Sequence, residues 1–216
     1  MRDVWSQRAD AFRESPTHRE GPDLDLLVEW CEPGPDVKVL DVATGGGHVA
    51  RRLREEGCTV ITADPAPGMK ADVVASAEEL PFADGSFDVV TCRIAAHHFQ
   101  DIGAAVAEMA RIAQHLVVIE DNVFVDDAVE EAERVRDPTH VRCYSQDEWK
   151  ELLTAAGLEV EQVEHFERRP VVDDWLARVE TPPDDAARVR ELLGDRIEDG
   201  ALRLESIVVK ARKSQR

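Results

Sequence analysis

The chain has little of several things, and each shortage excludes a class of protein. No apolar run approaches the ~20 residues that a membrane-spanning helix needs. The first ten residues, M-R-D-V-W-S-Q-R-A-D, are charged where a secretory leader would be apolar. A soluble, cytoplasmic protein is therefore expected. Four cysteines, Cys31, Cys58, Cys92 and Cys143, stand far apart with no C-x-x-C between them. Reduced, buried thiols are expected, and no metal site. Positive charge is scarce: Asp+Glu number 45 against 26 Lys+Arg, a net of −19, and only five of the cations are lysines. Such a surface repels phosphate backbones and anionic lipid, so neither nucleic acid nor membrane insertion is expected. The same bias suits a halophilic cytoplasm, where concentrated salt screens self-repulsion over a few ångströms; an acidic surface in ordinary salt is the other reading. Internal repeats, low-complexity blocks and a linker are also missing. The 216 residues are enough for one compact domain with a sizeable core.

What is present centres on residues 37–50, V-K-V-L-D-V-A-T-G-G-G-H-V-A. An apolar run carrying one carboxylate, Asp41, ends in three glycines, after which Val49 and Leu53 fall at helical spacing. That is strand, tight loop, helix. In an open α/β sheet ligands bind outside the carboxyl ends of the strands, where a glycine-rich turn exposes backbone to a nucleotide-like cofactor. A second strand at 58–63 ends in Asp64-Pro65, and proline keeps Asp64 extended at the strand tip. Asp64 lies 19 positions after Gly45, close to the ~20-residue offset at which an acid meets a ribose diol. Barely two helical turns fit before a third strand near 72–75, so this crossover is expected to be an abbreviated helix or a loop.

Before the first strand, residues 2–14 set Val4, Trp5, Ala9 and Phe12 on one helical face, and a second helix over 23–31 carries Leu24, Leu27, Val28 and Cys31. Both precede the nucleotide fold and are candidates for a lid spanning 1–35, with the main domain over 36–216. His18, between them, reads equally as a solvated loop residue or a substrate contact. After the turn at Asp84-Gly85, a fourth strand covers 87–92 and leads into R-I-A-A-H-H-F. His97 and His98 sit at the mouth of the same crevice, although i, i+1 spacing on a helix points them apart. A helix over 101–114 and a strand at 116–119 follow, then an acidic helix over 126–136 and the polar stretch R-D-P-T-H-V-R containing His140. Ser145 and Glu148 form a capping box for the next helix. The remainder reads as a half-exposed strand at 158–166, two helices around Trp175 and Val189, and a last strand over 202–211.

Assembled in this order, V-L-D-V-A-T-G-G-G-H, A-D-P, A-E-E-L-P-F-x-D-G-S-F-D-V-V-T-C-R and A-A-H-H-F-x-D resemble the class I S-adenosylmethionine-dependent methyltransferases of the small-molecule group, which includes the ubiquinone and menaquinone biosynthesis enzymes. S-P-T-H-x-x-G-x-D-L and R-V-R-D-P-T-H-V-R are similar to a narrower branch. The resemblance implies a Rossmann-like, doubly wound seven-stranded α/β sheet with its last strand antiparallel and helices on both faces. It implies S-adenosylmethionine as cofactor, a small-molecule methyl acceptor, and a monomer or homodimer. By that resemblance Asp41, Ala43, Gly45 and Gly47 surround the methionine part of the cofactor. Asp64 takes the ribose hydroxyls, Ala77 and Glu78 the adenine, and Cys92 and Arg93 the far side of the methionine. Ala43 replaces the family's usual first glycine, which suits the loop if that position needs no positive φ. Ser76 replaces the aspartate that commonly reads the adenine amino group.

The implied reaction is in-line attack by carbon, nitrogen, oxygen or sulfur on the sulfonium methyl. Holding donor and acceptor together contributes up to roughly 7–11 kcal/mol, and a base, where needed, about 10²- to 10⁴-fold. His97, His98 and His140 are the candidate bases. Two other readings stay open. G-G-G-H-V-A also satisfies G-x-G-x-x-A, as an NAD-dependent oxidoreductase would, although Asp41 beside the glycines opposes a diphosphate. A non-catalytic S-adenosylmethionine-binding protein is the third reading.

Overall fold

In the computed structural model of the chain, in which residues 2–214 are described, five parallel strands make up most of a seven-stranded sheet. They are β1 (Lys38–Val42), β2 (Thr59–Asp64), β3 (Val73–Val74), β4 (Phe87–Arg93) and β5 (Ala113–Asn122). β6 (Leu158–Arg168) forms the far edge. A small hairpin, β7 (Ile197–Glu198) and β8 (Ala201–Leu202), precedes the last strand, β9 (Leu204–Lys213), which runs antiparallel between β5 and β6. The order is β3-β2-β1-β4-β5-β9-β6, the doubly wound arrangement expected.

Successive strand residues point to opposite faces, and both faces are covered, which is why the central strands read as continuous apolar runs. Val39, Val60, Val89, Leu116 and Val118 face α3 (Pro22–Trp30) and α4 (His48–Glu55). Leu40, Val42, Val90, Val117 and Ile119 face α5 (Ile102–Ile112) and α7 (Gln146–Ala155), with Met109, Trp149 and Leu153 filling the space between. Ser145 and Glu148 make the anticipated capping box at the start of α7. α6 (Asp127–Arg136), α8 (Val172–Ala177) and α9 (Pro183–Leu193) enclose a third apolar cluster with Leu202 and Leu204. Among the described residues no helix is long and apolar enough to cross a membrane.

At the N-terminus, α1 (Arg2–Glu14) and the single turn α2 (Pro16–Arg19) precede α3. The 1–35 segment is not one packing unit. Leu24, Leu27 and Cys31 of the α3 region are fully buried against the sheet, so this helix packs in the layered core. Its apolar face shares one cluster with Val49, Ala50 and Leu53 of α4. α1 instead packs Ala9 against Ala66 and Met69 at the end of β2.

Other boundaries moved for local reasons. β5 is longer than 116–119 because its pairing with β4 and β9 continues through Glu120, Asp121 and Asn122. The hairpin before β9 turns on Asp199 and Gly200, both at positive φ, the Asp-Gly signal of a two-residue turn. This shortens the last strand at its start. The β2–β3 crossover is a loop with one 3₁₀ turn, Pro67–Met69, and β3 is correspondingly short.

Candidate functional site

The sheet order reverses between β1 and β4, and the crevice that such a switch point creates lies outside their carboxyl ends. It holds a cavity of about 550 Å³. The glycine loop after β1 forms one wall, the tip of β2 another, residues Ser76–Glu78 a third, and Ile94, Ala95 and His98–Gln100 after β4 the fourth; Trp5 and Phe12 of α1 line it as well. The residues from α1 were not among the predicted contacts. Their signal was the aromatic face of that helix, legible as apolar but not as pocket-lining.

Asp41, 1 % exposed, lies at the base of the glycine loop. Its Oδ2 accepts the Thr44 hydroxyl at 2.5 Å, and this bond and the nearby Ala50 backbone favour the charged form. Burial nevertheless pushes its pKa up to about 6. Asp64 is held by the backbone: Oδ2 accepts from Gly45 N at 3.0 Å and Oδ1 from Ala66 N at 2.9 Å. Burial raises its pKa as well. Among the described residues no cationic side chain forms an ion pair with either acid, whereas most other buried carboxylates of the chain have one.

Gly45 and Gly47 take positive φ, which glycine adopts without penalty. So does Ala43, at +52°. The sequence-based condition for tolerating alanine there is not met, and a left-handed non-glycine residue costs about 1–2 kcal/mol. Ile94 repeats the feature at the end of β4, at +51°, where a β-branched side chain is an outlier. Its N–H is held by the Glu120 carbonyl at 2.7 Å. Strained backbone thus stands on both sides of the switch point, the setting in which it tends to serve a site.

The other predicted contacts divide. Ala43, Gly45, Ser76, Ala77, Glu78 and Arg93 line the cavity; Gly47 and Cys92 do not. Gly47 caps α4, and Cys92 is fully buried in the apolar core. Arg93 is committed to protein partners. Its Nη2 meets Asp23 Oδ2 at 2.6 Å, its Nε meets Glu120 Oε2, and its Nη1 donates to the His18 carbonyl at 3.0 Å. It ties β4 to β5, α3 and the end of α2. Burial pushes Glu120 up to about 8 against the opposing pull of Arg93.

The histidines converge instead of diverging. Residues 96–98 form a 3₁₀ turn, not an α-helix, and the rings of His97 and His98 lie 4.1 Å apart, with His140 5.5 Å from His97. Only His98 of the three lines the cavity. His97 Nδ1 meets Asp121 Oδ1 at 2.5 Å; burial alone would lower its pKa, and Asp121 overrides this to raise it. His98 Nδ1 lies 3.1 Å from the Thr139 carbonyl. A carbonyl only accepts, so Nδ1 carries the proton and Nε2 the lone pair. Burial, then the neighbouring His97, holds His98 well below the ordinary imidazole range, so the ring is neutral. His140 is turned away, its Nε2 3.0 Å from Glu130 Oε1. Glu130, His140 and Cys143 are the described residues that group as possible metal ligands, their atoms within 4.8 Å of one another. Glu130 is already engaged by His140, Arg134 and the Cys143 amide.

Comparison with known proteins agrees with this geometry. Residues 7–163 match the family model described as a methyltransferase domain. The uncharacterized methyltransferase YcgJ of Bacillus subtilis is 32 % identical over 203 residues, covering 83 % of this chain and 80 % of its own. The crystal structure of YcgJ superposes with a TM-score of 0.81 at 27 % identity, covering 90 % of this chain and 99 % of that one. The BH2331 protein of Bacillus halodurans C-125 gives 0.79 at 29 % identity, covering 90 % and 100 %. With the sheet order, the glycine loop and the acid at the tip of β2 in place, the chain belongs to the class I S-adenosylmethionine-dependent methyltransferases.

Proposed function

We propose that the cavity between the ends of β1 and β4 binds S-adenosylmethionine and that the enzyme moves its methyl group to a small molecule entering beside His98. The observation that carries the reading is the pair of buried, cation-free acids, Asp41 and Asp64, on the cavity wall. A buried carboxylate is costly without a partner, and a ligand bearing an ammonium group and a ribose diol would supply partners to both. A diphosphate would bring its own negative charge against Asp41 beside the glycines, which disfavours a dinucleotide, whereas Asp64 suits the ribose of either ligand.

In this reading Asp41, Ala43 and Gly45 hold the methionine end, Asp64 the ribose, and Ala77 with Glu78 the adenine. Ser76, with a hydroxyl where an aspartate is common, keeps one polar contact to the base. When bound, S-adenosylmethionine supplies a methyl group already activated on a sulfonium, so the protein's principal work is positioning. Trp5 and Phe12 exclude water from above. His98, neutral and with Nε2 free of protein partners among the described residues, is placed to take a proton from the acceptor where one must leave.

Titration calorimetry with S-adenosylmethionine, S-adenosylhomocysteine and NAD, in low and high salt, tests the reading. Binding of the two sulfur compounds and not NAD is expected. Binding of NAD alone would overturn it, and binding with no turnover on any acceptor would favour a non-catalytic role.

A further inference from the structure

Behind the large cavity lies a second, of about 40 Å³, with Phe12, His18, Ile94 and His98 lining both. Its far wall is cationic. Arg136, Arg168 and Arg178 all line it, in a chain whose net charge is −19. Asp137 is the carboxylate on that wall, and its oxygens are already taken by Arg8 Nη1 at 3.2 and 3.3 Å, by Thr139 N at 3.0 Å and by Thr139 Oγ1 at 2.8 Å. Arg136 is spoken for as well: Nη1 meets Glu133 Oε2 at 3.1 Å and the guanidinium stacks 4.1 Å from the centre of the Trp175 ring.

Arg168 differs. Its Nη2 donates to Asn122 Oδ1, its Nε is buried without a hydrogen-bond partner, and no carboxylate among the described residues forms an ion pair with it. A guanidinium left this way beside two others loses solvation and gains repulsion. Burial followed by the fields of Arg136 and Arg168 brings Arg178 down to about 10, as expected of cations set close together. The planar guanidinium fork matches a two-oxygen anion. By volume the space holds roughly three water molecules, which is the size of a carboxylate head and not of a diphosphate.

We propose that this second cavity binds a carboxylate of the methyl acceptor, with Arg168 as its main partner, so that the rest of the acceptor passes His98 and Ile94 into the cofactor cavity. The inference rests on the methyl-transfer reading above for the word acceptor, but the anion subsite stands on its own residues. It restricts the substrate class to small carboxylic acids, and gives Arg168 a role that the cofactor leaves unfilled.

The test is calorimetry on the full chain at constant ionic strength, with and without saturating S-adenosylhomocysteine, using benzoate and its uncharged counterpart benzamide as probes and inorganic phosphate as competitor. Benzoate is expected to bind at least tenfold more tightly than benzamide. Arg168→Met should abolish that difference while leaving S-adenosylhomocysteine affinity within about twofold. Arg168→Lys, which keeps the charge but loses the fork, should weaken benzoate severalfold, and it carries the test if the methionine variant does not fold. Equal binding of benzoate and benzamide, or benzoate binding unchanged in the folded Arg168 variants, would overturn the subsite. Phosphate competing as well as benzoate would overturn its assignment to a carboxylate. Loss of the benzoate preference with S-adenosylhomocysteine still bound leaves the cofactor reading standing; benzoate bound with no affinity for S-adenosylhomocysteine does the reverse.

Discussion

The backbone N–H of Gly45 donates to Asp64 Oδ2 at 3.0 Å, joining residues 19 positions apart. With Ala66 N on the other oxygen, the carboxylate is oriented by the main chain before any ligand arrives. Asp64→Ala should therefore weaken S-adenosylhomocysteine binding by about 1.5–3 kcal/mol, the scale of hydrogen bonds to a charged group. Circular dichroism should show the fold retained. Unchanged affinity would remove Asp64 from the cofactor site.

Asp41 leads to a pH-dependent trade. Its folded pKa, raised by burial to about 6 from 3.8, means that its contribution to stability is present below about pH 3.8 and is lost as pH rises through 6. Asp41→Asn should gain stability relative to the parent across that window while losing cofactor affinity. In the parent, affinity for a ligand bearing an ammonium group should rise between pH 5 and 7. Melting temperatures and titrations at pH 5, 6 and 7.5 check both halves, and a flat difference between variant and parent would contradict the assignment.

Arg93 is buried between Asp23 and Glu120. Arg93→Met should cost about 3–5 kcal/mol, since it leaves two buried carboxylates without their cation. The sign of the pH effect follows from Glu120, whose pKa is raised to about 8. Its contribution is present below about pH 4.5 and is lost as pH rises through 8, and removing Arg93 raises it further. The variant's deficit should thus be smaller at pH 5 than at pH 8, as measured by urea denaturation at both.

Gly68 provides the seat for α1. A Cβ there would lie 2.6 Å from Ser6 Cα and 2.7 Å from its carbonyl oxygen, backbone atoms that move only with the helix. Ser6 Oγ also accepts the Gly68 N–H at 3.0 Å. Gly68→Ala should displace α1, with an overpacking cost of about 1–3 kcal/mol, and speed release of S-adenosylhomocysteine, because Trp5 and Phe12 ride on that helix. Stopped-flow dissociation rates would show it; an unchanged rate would deny α1 its covering role.

The elements built from local signals were legible residue by residue. Val39, Leu40 and Val42 followed by three glycines specify strand, turn and helix; Ser145 and Glu148 specify a helix start; the distance from Gly45 to Asp64 is a property of one βαβ unit. Each depends on neighbours a few positions away, through period, capping and turn geometry. The Asp-Gly hairpin before β9 belonged to the same class but was hidden by the apolar run around it.

What the sequence by itself determined is therefore the succession of strands and helices and the glycine loop with Asp41 and Asp64 near it, the doubly wound sheet following from the resemblance those motifs carry. The tertiary structure alone decided that α3 joins the core while Trp5 and Phe12 of α1 line the cavity, because both helices are amphipathic and only the surface left open by the sheet distinguishes them. It also decided that Ala43 and Ile94 take positive φ, and that His98 and not His140 faces the cavity. Above all it gathered Arg136, Arg168 and Arg178, from α6, the end of β6 and the end of α8, around one small space. Residues so far apart in the chain carry no mutual period or spacing, and only close packing of the finished fold brings their charges within reach of each other.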